Sequence, residues 1–220
     1  VIKAIVYICY RDIRQKDKSL KRIYPYNFTT TVIIIIYQFV WFISLPFVVI
    51  YLVKRSLREP AYRKNLSERF GFGKTFVKNS IWIHAVSLGE FRASVPLVKK
   101  LLQRSENIII TTITPAGRQE ALSVLKKDIK KGNVRVAYLP LEYSLAFNFF
   151  LQRFRPKLAI ILEYELWPVM IASCCRFKVP LVLAQGQYVK KSFKIDKRFS
   201  WLRPALFKAF DLILAKSQHH

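Results

Sequence analysis

The sequence predicts an α/β fold, a Rossmann-like parallel sheet with helices on both faces, preceded by a membrane helix. Three observations predict it. From residue 80 onward, short apolar runs alternate with segments of helical period. Those runs are apolar throughout, as strands buried on both faces are. Ahead of them, Val32 to Val53 reads twenty-two residues without a charge.

That uncharged run is the first element. As a helix it would extend about 33 Å, enough for a bilayer core of about 30 Å. Pro46 is tolerated in membrane helices, and Tyr37, Trp41 and Tyr51 suit the interfaces. Lys54, Arg55, Arg58, Arg63 and Lys64 follow at once and favour a cytoplasmic domain. Lys16, Lys18, Lys21 and Arg22 precede the run, so the charge signal for orientation is mixed. An interfacial anchor bent at Pro46 and a buried core helix are the other readings. Residues 1–31 read as a basic extension without assigned chemistry, and 54–79 as a basic linker.

The soluble part, 80–220, follows in order. Strands are expected at Ser80 to Ser87, Asn107 to Thr114, Val134 to Leu139, Lys157 to Glu163, Pro180 to Ala184 and Asp211 to Ala215. Helices are expected at Glu90 to Gln103, Pro115 to Lys131, Leu145 to Phe154, Leu166 to Phe177 and Phe199 to Phe210. Phe91, Val95, Val98 and Leu102 mark the buried face of the first of these. Thr114 is the N-cap of the second, with Pro115 at its first position.

Composition narrows the class. The chain has 220 residues, 52% of them hydrophobic, which excludes a disordered tail. Three cysteines, with Cys174 and Cys175 adjacent, exclude a secreted disulfide framework. No CxxC or HxxxH spacing is present, so zinc is not expected. His219 and His220 are not read as ligands. With 38 Lys+Arg against 13 Asp+Glu, the net charge of +25 implies a polyanionic partner, a nucleic acid or an anionic membrane.

Ligands of such sheets bind at the carboxyl ends of the strands. After the first strand comes Ser87-Leu88-Gly89-Glu90. Gly89 allows close backbone approach, and the helix start offers free N–H groups. Glu90 suits a general base, but an acid in a first turn is more commonly a carboxylate that only favours the helix dipole. Thr114-Pro115-Ala116-Gly117 holds an anion or merely begins a helix. Glu163 and Glu165, beside Trp167, either bind sugar hydroxyls or a cation, or form salt bridges with the basic surface. His84, inside a strand, reads as a core histidine. Neither GxGxxG after the first strand nor GxxxxGK[ST] is present, which argues against dinucleotide and nucleoside-triphosphate chemistry of those kinds.

In order along the chain stand Tyr62-Arg63-Lys64 through Glu68-Arg69-Phe70-Gly71, Ile81-Trp82-Ile83-His84-Ala85-Val86-Ser87-Leu88-Gly89-Glu90, Thr111-Thr112-Ile113-Thr114-Pro115-Ala116-Gly117, Tyr138-Leu139-Pro140, and Glu163-Tyr164-Glu165-Leu166-Trp167-Pro168. Over about residues 32–217 this resembles the N-terminal half of the 3-deoxy-D-manno-octulosonic acid (Kdo) transferases. The resemblance implies a GT-B glycosyltransferase, anchored at the cytoplasmic face of the bacterial inner membrane. It implies transfer of Kdo from CMP-Kdo to the lipid A precursor, as a step of lipopolysaccharide biosynthesis, with no metal and no cofactor. It makes 80–220 the acceptor-binding domain, with Glu90 as catalytic base. Substrate-binding residues are then Ser87, Gly89, Thr114, Gly117, Glu163 and Glu165. The donor binds mainly to a C-terminal domain that lies outside these residues. An anionic membrane is the expected polyanion, and no nucleic acid is expected.

The chain departs from the family pattern. Gln185-Gly186-Gln187-Tyr188-Val189 stands where the family has Asn-x-Arg-Leu-Ser, so an arginine and a serine are lost. Tyr164, Val169 and Ala116 replace a threonine, an asparagine and a threonine. The chain begins at Val1 and is expected to be a fragment, a truncated product or one half of a split enzyme, inactive or very weak alone. A catalytically inactive, membrane-attached module that binds the acceptor lipid is the alternative, and a basic nucleic-acid binder a distant third.

Overall fold

The computed structural model describes residues 28–163, 165–186 and 203–215. Expectations that rest on residues 1–27, on Tyr164 or on Gln187, Tyr188 and Val189 lie outside the described residues.

Six strands form one sheet: β1 (Ile81–His84), β2 (Ile108–Thr112), β3 (Val134–Tyr138), β4 (Leu158–Leu162), β5 (Leu181–Gly186) and β6 (Leu212–Ala215). Every pairing is parallel, in the order β3-β2-β1-β4-β5-β6. In register, Ile83 of β1 lies between Ile110 and Ile160. β1, β2 and β4 are buried along their whole length, which is why they read as unbroken apolar runs.

One face packs Ile83, Ile110 and Ile160 against Phe91, Val98 and Leu125. Phe91 and Val98 come from α3 (Leu88–Leu102), and Leu125 is the junction between α4 (Pro115–Val124) and α5 (Lys126–Lys130). The other face packs Trp82, Ile109 and Ile161 against Phe147, Phe150 and Met170. There lie α6 (Ser144–Phe154), α7 (Pro168–Arg176) and α8 (Arg203–Lys208). The expected α/β architecture with helices on both faces is present.

Two helices differ from the sequence expectation. The one expected over 115–131 breaks at Leu125, which leaves helical geometry (φ −102, ψ 17) with its side chain buried in the core. Beyond it, of Lys126–Lys130, only Ile129 packs on the core. The helix expected from Leu166 begins at Pro168, whose fixed φ suits a first helical position.

Ahead of the sheet runs α1 (Phe28–Arg58), 31 residues with Pro46 inside. Its stretch Thr31–Arg58 is long and apolar enough to cross a membrane. The segment 54–79 carries a 3-10 turn at Pro60–Arg63 and α2 (Leu66–Arg69). Tyr62, Glu68 and Arg69 are buried in it. Gly71 follows with φ +83, and a Cβ there would overlap the carbonyl oxygen of Ala146. Only glycine fits that approach of the chain to α6.

Candidate active site

β1 and β4 are adjacent strands from which the chain departs in opposite directions along the sheet. The crevice at their carboxyl ends is the switch point where open α/β sheets bind ligands. Glu90 stands in the first turn of α3, directly after β1. Glu163 stands directly after β4 and Glu165 two residues on.

Glu90 is held on both oxygens. The Val86 N–H donates to Oε2 at 2.8 Å, and the Ser87 hydroxyl donates to Oε1 at 3.0 Å. Ser87 is the N-cap of α3, and its Oγ accepts the Glu90 N–H at 3.3 Å. This reciprocal bonding makes a variant of the capping box, in which the N–H before the N-cap, that of Val86, is the backbone donor to the glutamate. Glu90 is only 8% exposed. Burial pushes its carboxyl above the usual range, the bonds from Val86 and Ser87 pull it down, and the charge of Glu163 pushes it up, for a net rise. Each carboxylate oxygen has two lone pairs, so the box leaves acceptor capacity on both.

Glu165 accepts the Trp167 indole N–H at 2.6 Å. Its carboxyl is also raised, first by burial and next by the charge of Glu90, with Glu163 adding to it. Glu90, Glu163 and Glu165 therefore form one electrostatic cluster at the crevice. Glu163 has φ 56, in the left-handed region a glutamate rarely adopts. Strain of that kind concentrates at functional sites.

The predicted glycines separate. At Gly89 a Cβ would meet nothing nearer than Ser87 Oγ at 3.8 Å, so the space above the helix start is open. At Gly117 a Cβ would come within 3.1 Å of Thr114 Oγ1, 3.2 Å of Ser87 C and 3.3 Å of Leu88 N. Gly117 thus lets the start of α4 lie against the start of α3. Thr114 caps α4, accepting the Gly117 N–H at 3.1 Å. Two helix N-termini stand side by side at the crevice, with the partial positive charge that such ends carry.

His84 lies in the core. It is fully buried, with Nδ1 2.9 Å from Thr111 Oγ1. Burial lowers its pKa to about 4, so it is neutral at pH 7.

Two groups were not legible as site residues. Glu68 is buried and accepts from Arg118 Nη1 at 2.6 Å and from the Tyr138 N–H at 3.0 Å, with Arg135 Nη2 at 3.6 Å. The guanidinium of Arg69 lies 4.2 Å from the Tyr138 ring and that of Arg118 4.8 Å from it. Arg69 also donates to the Ile113 carbonyl at 2.8 Å. This places more positive than negative charge beside the carboxyl ends of β2 and β3. The second group is Glu142, 2% exposed, which accepts the N–H groups of Val169 at 2.9 Å and Met170 at 3.0 Å. It caps α7, whose own N-cap, Trp167, makes no side-chain cap bond. A helix opening on Trp-Pro, with no local capping residue, was the available signal.

Residues 64–220 match the family model described as 3-deoxy-D-manno-octulosonic-acid transferase (kdotransferase). The chain belongs to the Kdo transferase family. A 3-deoxy-D-manno-octulosonic acid transferase of Haemophilus influenzae is 30% identical over 185 residues, covering 79% of this chain and 42% of that protein. One from Bordetella pertussis is 34% identical over 140 residues, 62% of this chain and 32% of that protein. A probable mitochondrial one from Arabidopsis thaliana is 32% identical over 174 residues, 78% of this chain and 37% of that protein. The chain spans about a third to two-fifths of these Kdo transferases. The matched residues include the Glu90 capping box, the Glu163–Glu165 segment and Glu68.

Proposed function

We propose that this chain is the acceptor-binding half of a Kdo transferase acting in lipopolysaccharide biosynthesis at the cytoplasmic face of the inner membrane. Kdo passes from CMP-Kdo to the lipid A precursor, and Glu90 is the general base. The observation that carries this reading is the Glu90 carboxylate, fixed at the switch point with a raised pKa and spare lone pairs. It takes the proton of an acceptor hydroxyl. The hydroxyl oxygen forms a bond to the anomeric carbon of Kdo. The bond from that carbon to the CMP phosphate breaks, and its electron pair leaves with CMP. Glu163 and Glu165 suit sugar hydroxyls, while burial, with the charge of Glu163 added, holds the Glu90 carboxyl above its usual range, nearer the pH at which a base works. Ser87 and Thr114 set the two helix starts, while Gly89 leaves room for the ligand.

The donor is bound chiefly by a C-terminal domain outside these residues, so the chain alone is inactive or very weak. A module that binds the acceptor lipid without turnover is the second reading. It is favoured by the capping box, which engages both oxygens of Glu90 in holding the helix start. The test is transfer of radiolabelled Kdo from CMP-Kdo to lipid A precursor, in membranes carrying this chain together with a family C-terminal domain. Turnover that vanishes in Glu90→Ala supports the transferase reading. Tight lipid binding without turnover in any combination supports the module.

A further inference from the structure

The apolar helix α1 is long enough to cross a bilayer, and it also docks on the α/β domain. Two of its residues touch the α/β domain with polar atoms, and a third packs against it. Gln38 Oε1 accepts the N–H of Ser144, the first residue of α6, at 3.2 Å. The Trp41 carbonyl accepts the Tyr143 hydroxyl at 2.7 Å, and the two rings meet edge to face at 6.2 Å. Tyr37 packs against the buried cluster on that face, near Glu142, the carboxylate that caps α7. Ile34, one turn earlier, is buried.

These contacts sit in the first half of the uncharged run. Gln38 and Val53 are fifteen residues apart, about 22 Å along a helix axis. A crossing that placed Val53 at the headgroups would put Gln38 about 22 Å into hydrocarbon about 30 Å thick. Ser144, Tyr143 and Glu142 would be carried in with it, and the polar surface of the α/β domain with them. Burying charged and polar surface in lipid is prohibitive.

The opposite face of α1 is bare and apolar. Ile36, Phe39, Ile43, Phe47, Ile50 and Leu57 are each more than half exposed and recur at helical spacing. A soluble monomer rarely leaves so continuous an apolar stripe in water. At its carboxyl end a cavity of about 650 Å³ is lined by Tyr51, Lys54, Arg55, Leu57, Arg58 and Glu59. Three of these six are basic, in a chain of net charge +25. Cations at the rim of an apolar stripe complement anionic headgroups above acyl chains.

We propose that α1 lies along the membrane, docked on the α/β domain by Tyr37, Gln38 and Trp41, with its outer face sunk into one leaflet of an anionic bilayer. Both ends of the uncharged run are then on the same side of the membrane. The crevice is held at a set height above the leaflet by a helix bound to the domain, not hung from a tether. This holds whichever reaction the crevice performs.

The test uses the full chain in sealed vesicles of phosphatidylethanolamine and phosphatidylglycerol, with the α/β domain outward. Thr31→Cys and Lys54→Cys flank the run, and both positions are exposed. Each is treated with a membrane-impermeant maleimide and compared with the unsubstituted chain. Equal labelling of both without detergent is expected. Labelling of Lys54→Cys alone, with Thr31→Cys reacting only after detergent, overturns the proposal. A second measurement needs no sidedness: Gln38→Cys with Ser144→Cys should be joined in the vesicles by a short bismaleimide. Absence of that crosslink, in protein whose domain melts normally, also overturns it.

Discussion

Ser87 and Glu90 hold each other: the serine Oγ accepts the glutamate N–H at 3.3 Å and its hydroxyl donates back to Oε1 at 3.0 Å. One pair of side chains thereby starts α3 and positions a carboxylate over the switch point. Structural and chemical roles can be separated because glutamine also closes a capping box.

Glu90→Gln should leave thermal stability within about 0.5 kcal/mol of the parent. Kdo transfer, measured with the donor-binding half supplied, should fall by about 10²–10⁴-fold, the usual contribution of a general base. Ser87→Ala should destabilise by about 1 kcal/mol through loss of the cap. A Glu90→Gln protein with near-normal turnover would remove Glu90 from the chemistry.

The two glycines of the crevice should respond in opposite ways. Gly89→Ala meets open space, and helix propensity favours it by about 0.5–1 kcal/mol. Its melting temperature should hold or rise while acceptor affinity falls, because the methyl enters the space that the proposed acceptor site uses. Gly117→Ala presses on Thr114, Ser87 and Leu88. It should destabilise by about 1–3 kcal/mol, as overpacking does. Differential scanning calorimetry and an acceptor-binding titration on the same samples separate the two.

Burial pushes the Glu142 carboxyl up from 4.5 to about 7, against the pull of the Val169 and Met170 N–H groups and of Tyr37. The folded protein therefore binds more protons than the unfolded chain between those values. The stability that Glu142 contributes is full below about pH 4.5 and is lost as pH rises through about 7. Urea midpoints at pH 5 and pH 8 should show that loss, and Glu142→Gln should flatten it. Glu142→Ala should cost about 1–3 kcal/mol, since two buried N–H groups lose their acceptor.

Glu68 neutralises a cluster of arginines. Glu68→Ala leaves Arg118 and Arg135 without that carboxylate and the buried Tyr138 N–H without its acceptor. A loss of about 3–5 kcal/mol, or failure to fold, is expected. Chemical denaturation compared with Glu68→Gln checks it, because glutamine can still accept from Tyr138.

The sheet was legible because Ile108, Ile109 and Ile110 are buried on both faces and need no alternation to declare it. The switch point was legible in Ser87-Leu88-Gly89-Glu90, where a cap, a glycine and an acid follow a strand. What Glu90 bonds to was not, since an acid in a first turn reads the same whether its oxygens are held or bare. Leu125 breaks a helix that propensity favours because its side chain is drawn into the core, a tertiary effect invisible locally. Glu142 was unread because its partners, Val169 and Met170, come 27 and 28 residues later. The docking face of α1 was hidden for another reason. In a run apolar on every side, Gln38 and Tyr37 break no period, so nothing marks one face as special.

The contact between Tyr143 and Trp41 joins residues 102 positions apart. Ribosomes add about 5–20 residues per second, so α1 leaves the exit tunnel some 5–20 s before its docking surface has been made. Through that interval the nascent helix has only lipid, a chaperone or another apolar chain to cover it. Membrane association during synthesis would precede assembly of the crevice. Supply of vesicles during cell-free translation, more than vesicles added afterwards, should then decide how much of the product stays out of aggregates.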